Sequence, residues 1–414
     1  MAFCRTGPAG SPALACRDDE WGYDMPRGLT IILTALLPML AATPALADER
    51  AFDAALAEFR ALYAAEVRRA DIAGSSVYVL REGRIVAADH LGLQDAAANV
   101  PVDAATIYHW ASITKTMTGI AIMQLRDRGL LSLDDPITRH VPELARVHNP
   151  FGPMEAVTIR MLMSHSAGFR GGTWPWRNEE WQPFEPPGWT QIEAMLPYTR
   201  VLFRPGSRYS YSNPGIVYLG QVIERLSGED FEVYVDKNIL RPLGMHASYF
   251  DRTPPHLLRH RSHSYSIRAG RRVAAPFDVD TGVTVSNGGL NAPMPDMARY
   301  LAFLIGDPVR ASEYDLVLRR SSLEEMWRPV IPLEGESSEG RIPAATHSGL
   351  SFFVSEGRPV RIVGHSGDQN GFRAWLSFCP EQRAGSLLAF NTDAPAANER
   401  IARETDRLCD ALAR

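Results

Sequence analysis

Ser112-Ile113-Thr114-Lys115 opens the stretch Met117-Thr118-Gly119-Ile120-Ala121-Ile122-Met123-Gln124-Leu125. That run is apolar on nearly all sides, which predicts a buried helix. Residues three apart share a helix face, so Ser112 Oγ and Lys115 Nζ stand side by side at the helix N-terminus. Burial and the helix dipole both disfavour an ammonium there. A neutral lysine beside a hydroxyl is the arrangement of an activated nucleophile. Composition sharpens this reading. The 414 residues include two lysines, Lys115 and Lys237, against forty-one arginines. Arginine keeps its proton in a protein, whereas a desolvated lysine can lose it. The retained Lys115 points to a task that arginine cannot do. The structural alternative is Ser112 as a helix cap beside a snorkelling surface lysine.

On either side of this helix the pattern is that of a globular chain, 45% hydrophobic and 22% charged. Its length suits two or three domains, or one large two-part unit. With a net charge of −5 and neither a basic block nor an acidic tail, nucleic-acid binding is unsupported. Ala51 to Arg69 has helical periodicity. Val77 to Leu80 and Arg84 to Ala87 flank Arg81-Glu82-Gly83 as a hairpin. Residues 126–284 are rich in Pro, Gly and Trp and read as a mainly helical insert with long loops. Strands return at Ser351 to Val354, Val360 to Val363, Phe372 to Cys379 and Ser386 to Asn391. A last helix spans Ala396 to Leu412. The expected fold class is α+β: a mixed antiparallel sheet flanked by terminal helices, built from residues 48–125 and 285–414, with the helical subdomain inserted between them.

Met25-Pro26-Arg27, an apolar run from Leu29 to Leu40 and Ala45-Leu46-Ala47 before Asp48 read as a signal peptide over residues 25–47. The upstream residues 1–24 have no fold pattern, and Met25 is the expected start. The apolar run is short for a membrane span, so no stable anchor is expected after cleavage; a short anchor is the alternative. Export to a bacterial periplasm, or secretion, follows. Removal of Cys4 and Cys16 would leave Cys379 and Cys409. The strand–turn–strand–helix order brings these two within reach of each other. They either pair in an oxidising compartment or remain two buried thiols.

Two further motifs carry chemistry. Tyr209-Ser210-Tyr211-Ser212-Asn213-Pro214 places the Tyr211 phenol and the Asn213 amide on one side of an extended turn. A phenolate made accessible by a neighbouring lysine takes a serine proton, and the amide holds a substrate carbonyl or the lysine. Gly364-His365-Ser366-Gly367-Asp368 follows the expected strand Val360 to Val363. A glycine on an edge strand lets a substrate backbone approach, and backbone amides there complete an oxyanion hole. His365 is placed to bind a substrate carboxylate or to assist the phenol.

In this order the motifs resemble the serine β-lactamase and penicillin-binding-protein superfamily. The nearest branch holds class C β-lactamases, D-alanyl-D-alanine carboxypeptidases and family VIII carboxylesterases. Met161 to Phe169, Gly129 to Ile137, Ile239 to Met245 and Gly288-Gly289-Leu290 also fit that pattern, so the resemblance covers roughly residues 50–412. It implies Ser112 as acylated nucleophile and Lys115 as its proton partner. Tyr211 would be the acylation base and the acid for the leaving group. Asn213 would position the substrate carbonyl, and His365, Ser366 and Gly367 would line the strand side. The amides of Ser112 and Asp368 would form the oxyanion hole. Class C β-lactamases carry Lys-Thr-Gly where this chain has His365-Ser366-Gly367. A histidine is only fractionally charged near neutral pH. β-Lactam hydrolysis is therefore not expected as the main activity, and small apolar esters are preferred.

The implied function is a secreted serine hydrolase acting through an acyl-enzyme on an ester or amide, without a cofactor. The esterase and the D-alanyl-D-alanine carboxypeptidase or D-aminopeptidase readings both stand. A catalytically silent sensor on the same fold is the rival of another class. Trp174, Trp176, Trp181, Phe184 and Trp189 form either a hydrophobic wall over the cleft or core packing. His256 and His260 have metal-ligand spacing, but Leu257 stands where a metalloprotease needs its glutamate, so no metal is expected. Substrate identity and oligomeric state are not legible.

Overall fold

The computed structural model describes residues 44–173, 188–333 and 339–412. Its centre is a nine-stranded sheet. The strands lie in the spatial order Val100–Pro101, Arg84–Asp95, Gly74–Arg81, Ala384–Phe390, Phe372–Cys379, Val363–Gln369, Phe353–Val354, His347–Ser348, Ile331–Pro332. Every adjacent pair is antiparallel. Strands from early and late in the described chain therefore pair within the sheet, where Ser75 faces Phe390 and Arg81 faces Ala384.

Period-two alternation sorts each strand between two cores. Val77 and Val79, with Leu388 and Phe390, bury one face against the helices Pro44–Arg69 and Pro395–Asp410 through Phe52, Phe59, Tyr63 and Ile401. Tyr78 and Leu80, with Leu387 and Ala389, bury the other against the helices Thr114–Asp127 and Met294–Ile305. The sheet is thus sandwiched between terminal helices and the helix that follows Ser112. Among the described residues, 126–284 hold mostly short helices and 3₁₀ turns joined by long loops. These residues also supply Tyr265–Arg268 and Arg271–Ala274, which form a small sheet with Thr392–Asp393 through a parallel pairing. The residues from Pro44 onward form one compact unit, so the insert is not a separate body. Cys379 and Cys409 are joined as a disulfide, Cα to Cα 6.0 Å. It ties the end of a central strand to the last turns of the C-terminal helix.

Two strand expectations need correction. The ladder near Ser351 holds only Phe353 and Val354, because Ser351 takes a left-handed φ of 60°. Val360 and Ile362 are buried, but they precede the strand, which begins at Val363 and runs to Gln369. The Gly364–Asp368 motif therefore belongs to the strand Val363–Gln369 itself and does not follow a separate strand Val360 to Val363. Its glycines are there for closeness: a Cβ on Gly364 would lie 2.1 Å from Leu376 O, and one on Gly367 2.2 Å from Trp110 O. Nor is it an edge strand in the sheet order. Its neighbour Phe353–Val354 covers only Gly364 and Val363, however, so the outer edge from His365 onward has no strand beside it.

Most of the expected signal peptide, the upstream segment, and Trp174, Trp176, Trp181 and Phe184 lie outside the described residues. Trp189 is described and packs edge-on to Tyr218, with ring centroids 6.3 Å apart, in the helical region. No helix among the described residues is long and apolar enough to cross a membrane.

Candidate active site

The turn that carries Ser112 is clamped from three sides. Trp110 is fully buried, donates from Nε1 to Ala292 O at 2.9 Å, and has its own amide bonded to Leu290 O at 2.8 Å. Ala111 takes a left-handed φ of 45°, a local strain held by these contacts. Thr114 Oγ1 donates to Ala111 O at 2.6 Å and accepts from Leu290 N at 3.1 Å. Ser112 sits in the 3₁₀ turn Ala111–Ile113, one step before the helix, and stays partly open to the cleft.

Lys115 is fully buried, with Nζ 2.9 Å from Ser112 Oγ. Nζ also donates to Asn287 O at 2.7 Å. The Asn213 amide, expected to hold the lysine or a carbonyl, lines the same cleft but is not bonded to Nζ. Burial pushes the ammonium of Lys115 down to about 7, with the negative charge of Glu339 acting weakly the other way. Near neutral pH much of Lys115 is therefore a free amine.

Tyr211 faces the pair. Its ring lies 5.0 Å from Lys115 Nζ, and its hydroxyl is buried without an aligned hydrogen bond. Burial holds its proton well above the ordinary phenol range, only partly offset by nearby Ser112. The expectation of an accessible phenolate is thus corrected: the phenol remains protonated and can donate. Ser212 caps the helix Asn213–Ser227 by accepting from Gly215 N at 3.1 Å, which fixes the backbone between Tyr211 and Asn213.

Two imidazoles flank the tyrosine. The ring of His165 lies 4.5 Å from that of Tyr211, and its Nδ1 accepts the Ser212 amide at 3.2 Å. His365 is completely buried, and its Nδ1 donates to Ser366 O at 2.6 Å. Burial, followed by the nearby lysine, pushes His365 down to about 3. The fractional charge read from sequence is therefore corrected. His365 is neutral, occupied by its own strand, and not a carboxylate clamp.

Sequence reasoning missed Asn287, His165 as a packing partner, and the segment Glu339 to Pro343. Only Gly288-Gly289 and the His165 turn gave a local signal for the first two. Gly340 has φ 73°, and a Cβ there would lie 2.5 Å from Tyr211 Cε2 and 2.8 Å from His365 Cε1. Gly340 O accepts from Ser366 N at 2.8 Å. Gly340→Ala is expected to lower kcat at least about tenfold by displacing Tyr211, and to cost about 1–3 kcal/mol of stability from overpacking. Steady-state kinetics with a thermal melt checks both. Unchanged kcat would mean that the segment moves aside freely.

Together Ser112, Tyr211, Asn213, Glu339, Ser366 and Asp368 line a cleft of about 550 Å³. A serine hydroxyl, a buried amine and a protonated phenol converge there. Among the described residues no cluster of histidine, cysteine or acidic side chains is arranged to hold a metal.

Comparison with known proteins agrees with this geometry. The family model described as Beta-lactamase matches residues 52–409. Protein flp of Staphylococcus aureus is 22% identical over 326 residues, which is 79% of this chain and 61% of that protein. The uncharacterized protein MT1414 of Mycobacterium tuberculosis is 28% identical over 257 residues, 57% of this chain and 63% of its own length. The chain thus spans about three fifths of the curated relatives it matches. Among solved structures, the octameric penicillin-binding protein homologue from Pyrococcus abyssi superposes with a TM-score of 0.68 at 26% identity, covering 84% of this chain and 75% of that one. SurE in complex with D-Leu superposes with a TM-score of 0.66 at 25% identity, covering 88% and 76%.

Proposed function

The chain belongs to the beta-lactamase family, and on that premise we propose that it is a serine hydrolase acting through an acyl-enzyme on an ester or amide, of the carboxylesterase or D-peptidase kind. The observation that carries the reading is the buried, depressed amine of Lys115 at 2.9 Å from Ser112 Oγ. Ser112 Oγ bonds to the acyl carbon as its proton passes to Lys115. The bond to the leaving group breaks, and that group departs with a proton delivered through the Tyr211 hydroxyl and resupplied by Lys115. Water then adds to the acyl-enzyme, gives its proton to the same pair, and releases the carboxylic acid with Ser112 restored. The amides of Ser112 and Asp368 are assigned to the carbonyl oxygen. Asn213 is assigned to substrate positioning, and His365, Ser366 and Gly367 to the strand wall.

Several observations support an uncharged or amino-acyl substrate over a charged β-lactam. His365 is neutral where class C β-lactamases have lysine. Arg373 is engaged by Asp368 at 3.0 Å and by Asp393 at 2.9 Å. The D-Leu in the SurE structure supports the D-amino-acid branch by analogy. Export to an oxidising compartment is part of the proposal, supported by the Cys379–Cys409 disulfide.

The test is a panel on the purified chain: p-nitrophenyl esters of rising length, alanine amides of each hand, a peptide ending in D-Ala-D-Ala, and a chromogenic cephalosporin. An ester burst equal to enzyme concentration is expected. For the best ester or D-amide, kcat/KM should exceed that for the cephalosporin by at least roughly tenfold, one charge-assisted hydrogen bond's worth. Turnover of nothing in the panel, with no burst, rejects the proposal.

A further inference from the structure

The open edge of the strand Val363–Gln369 is shorter than its position suggests. On an antiparallel strand the N–H and C=O of one residue point to the same edge, and alternate residues share that edge. Ser366 N–H is taken by Gly340 O at 2.8 Å, and Ser366 O by the His365 ring at 2.6 Å. Phe353 already pairs with Gly364. Of the residues facing the cleft edge, Asp368 is thus the one left to a ligand. An acyl group that pairs as an extended peptide needs Ser366 as well. A single-residue acyl group needs Asp368 alone.

Glu339 stands next to that stop. It lines the cleft with Ser112, Tyr211 and Asn213. Its carboxyl oxygen lies 3.8 Å from where a Cβ on Gly171 would be, and Gly171 O in turn accepts from the Asn213 backbone N–H at 3.0 Å. The carboxylate is exposed to the cleft and forms no ion pair among the described residues. The other charged groups on these walls are occupied. Arg373 bridges Asp368 and Asp393, and Arg403 lies 3.4 Å from Glu399. Arg341 lies over the Tyr209 ring at 4.9 Å. After burial, which dominates each, the negative charge of Glu339 also raises the proton affinity of Lys115, Tyr209, Tyr211 and Asp368. Its field therefore covers the reacting centre. A carboxylate on the acyl group would meet like charge there, whereas an ammonium would meet its opposite.

We infer that Glu339 selects substrates whose acyl group is a single amino-acid residue with a free ammonium, joined as an ester or amide; this rests on the acyl-enzyme reading of the same cleft. A substrate amine that donates to Asp368 O and to the Glu339 carboxylate has its carbonyl beside Ser112. Acetylating that amine leaves one uncharged N–H for Asp368 O and removes the charge-assisted bond to Glu339.

The test compares alanine p-nitroanilides of each hand, with a free amine and N-acetylated, in the wild type and Glu339→Gln. For the wild type, kcat/KM is expected to favour the free amine at least tenfold. The glutamine variant should lose roughly tenfold of that preference, mostly in KM, as one charge-assisted hydrogen bond is removed. Equal loss on both substrates, or a wild type indifferent to acetylation, overturns the inference. Calorimetry with alaninamide on Ser112→Ala protein separates it from the chemistry. Binding that N-acetylation abolishes, and that Glu339→Gln weakens, upholds ammonium recognition even where no turnover is seen. Absence of such binding overturns it even where esters are hydrolysed.

Discussion

Ser112→Ala is expected to abolish covalent labelling by a fluorophosphonate and to reduce turnover on the order of 10⁶-fold, as removal of a serine nucleophile does elsewhere. The fold should survive the change. The Ser112 side chain is partly open to the cleft, and its bond to Lys115 Nζ is local to one turn of helix. What clamps the turn is Trp110, Thr114 and their bonds to the segment 290–292, none of which uses the serine hydroxyl. Intact mass of labelled wild type and variant, with a melt of each, reads the outcome. Labelling that persists in Ser112→Ala, or maps to another serine, removes Ser112 from the nucleophile role.

Lys115→Arg is expected to be nearly as damaging as Lys115→Ala, a loss of about 10²–10⁴ in kcat. Lys237→Arg should be close to neutral, because Lys237 is exposed and paired with Glu229. The contrast isolates the one property arginine lacks, the ability to be uncharged. It also has a pH signature. The active form of Lys115 is the amine, and burial sets its midpoint at about 7. Wild-type kcat/KM should therefore rise with pH through about 7 and level off above it. The sign for stability is the same. Between about 7 and the ordinary lysine value of 10.5, the unfolded chain binds a proton that the folded chain does not, so stability rises with pH across that window. A Lys115→Arg protein that kept most of its activity at normal stability would indicate a role for charge alone.

Much of the architecture was legible because it rests on local periodicity. The strands expected at Val77 to Leu80 and Ser386 to Asn391 are present, and period-two alternation sorts their residues between two cores. The 3.6-residue repeat of the terminal helices did the same. The weak point was the stretch 351–363. Buried apolar residues such as Val360 and Ile362 look like strand, yet they serve as packing before the strand begins at Val363. Hydrophobicity reports burial, and burial does not require membership of a ladder. The glycines of the strand read in sequence as room for a substrate backbone, whereas the close neighbours they accommodate are Trp110 and Leu376.

The sequence by itself determined that Ser112 and Lys115 adjoin, since residues three apart share one face of a helical turn. It also determined, through order and resemblance, the company of Tyr211, Asn213 and the Gly364–Asp368 motif. Protonation states were decided only by tertiary structure, because they depend on what excludes water. Burial depresses Lys115, and the carbonyl that its Nζ meets, Asn287 O, comes from 172 residues away. Tyr211 and His365 are held neutral by the packing of His165, Phe353 and Gly340 around them. The closure of the strand edge by Gly340 and the exposed charge of Glu339 have no local signature. They arise where a loop distant in the chain folds over the nucleophile, and a one-dimensional pattern does not encode which loop arrives.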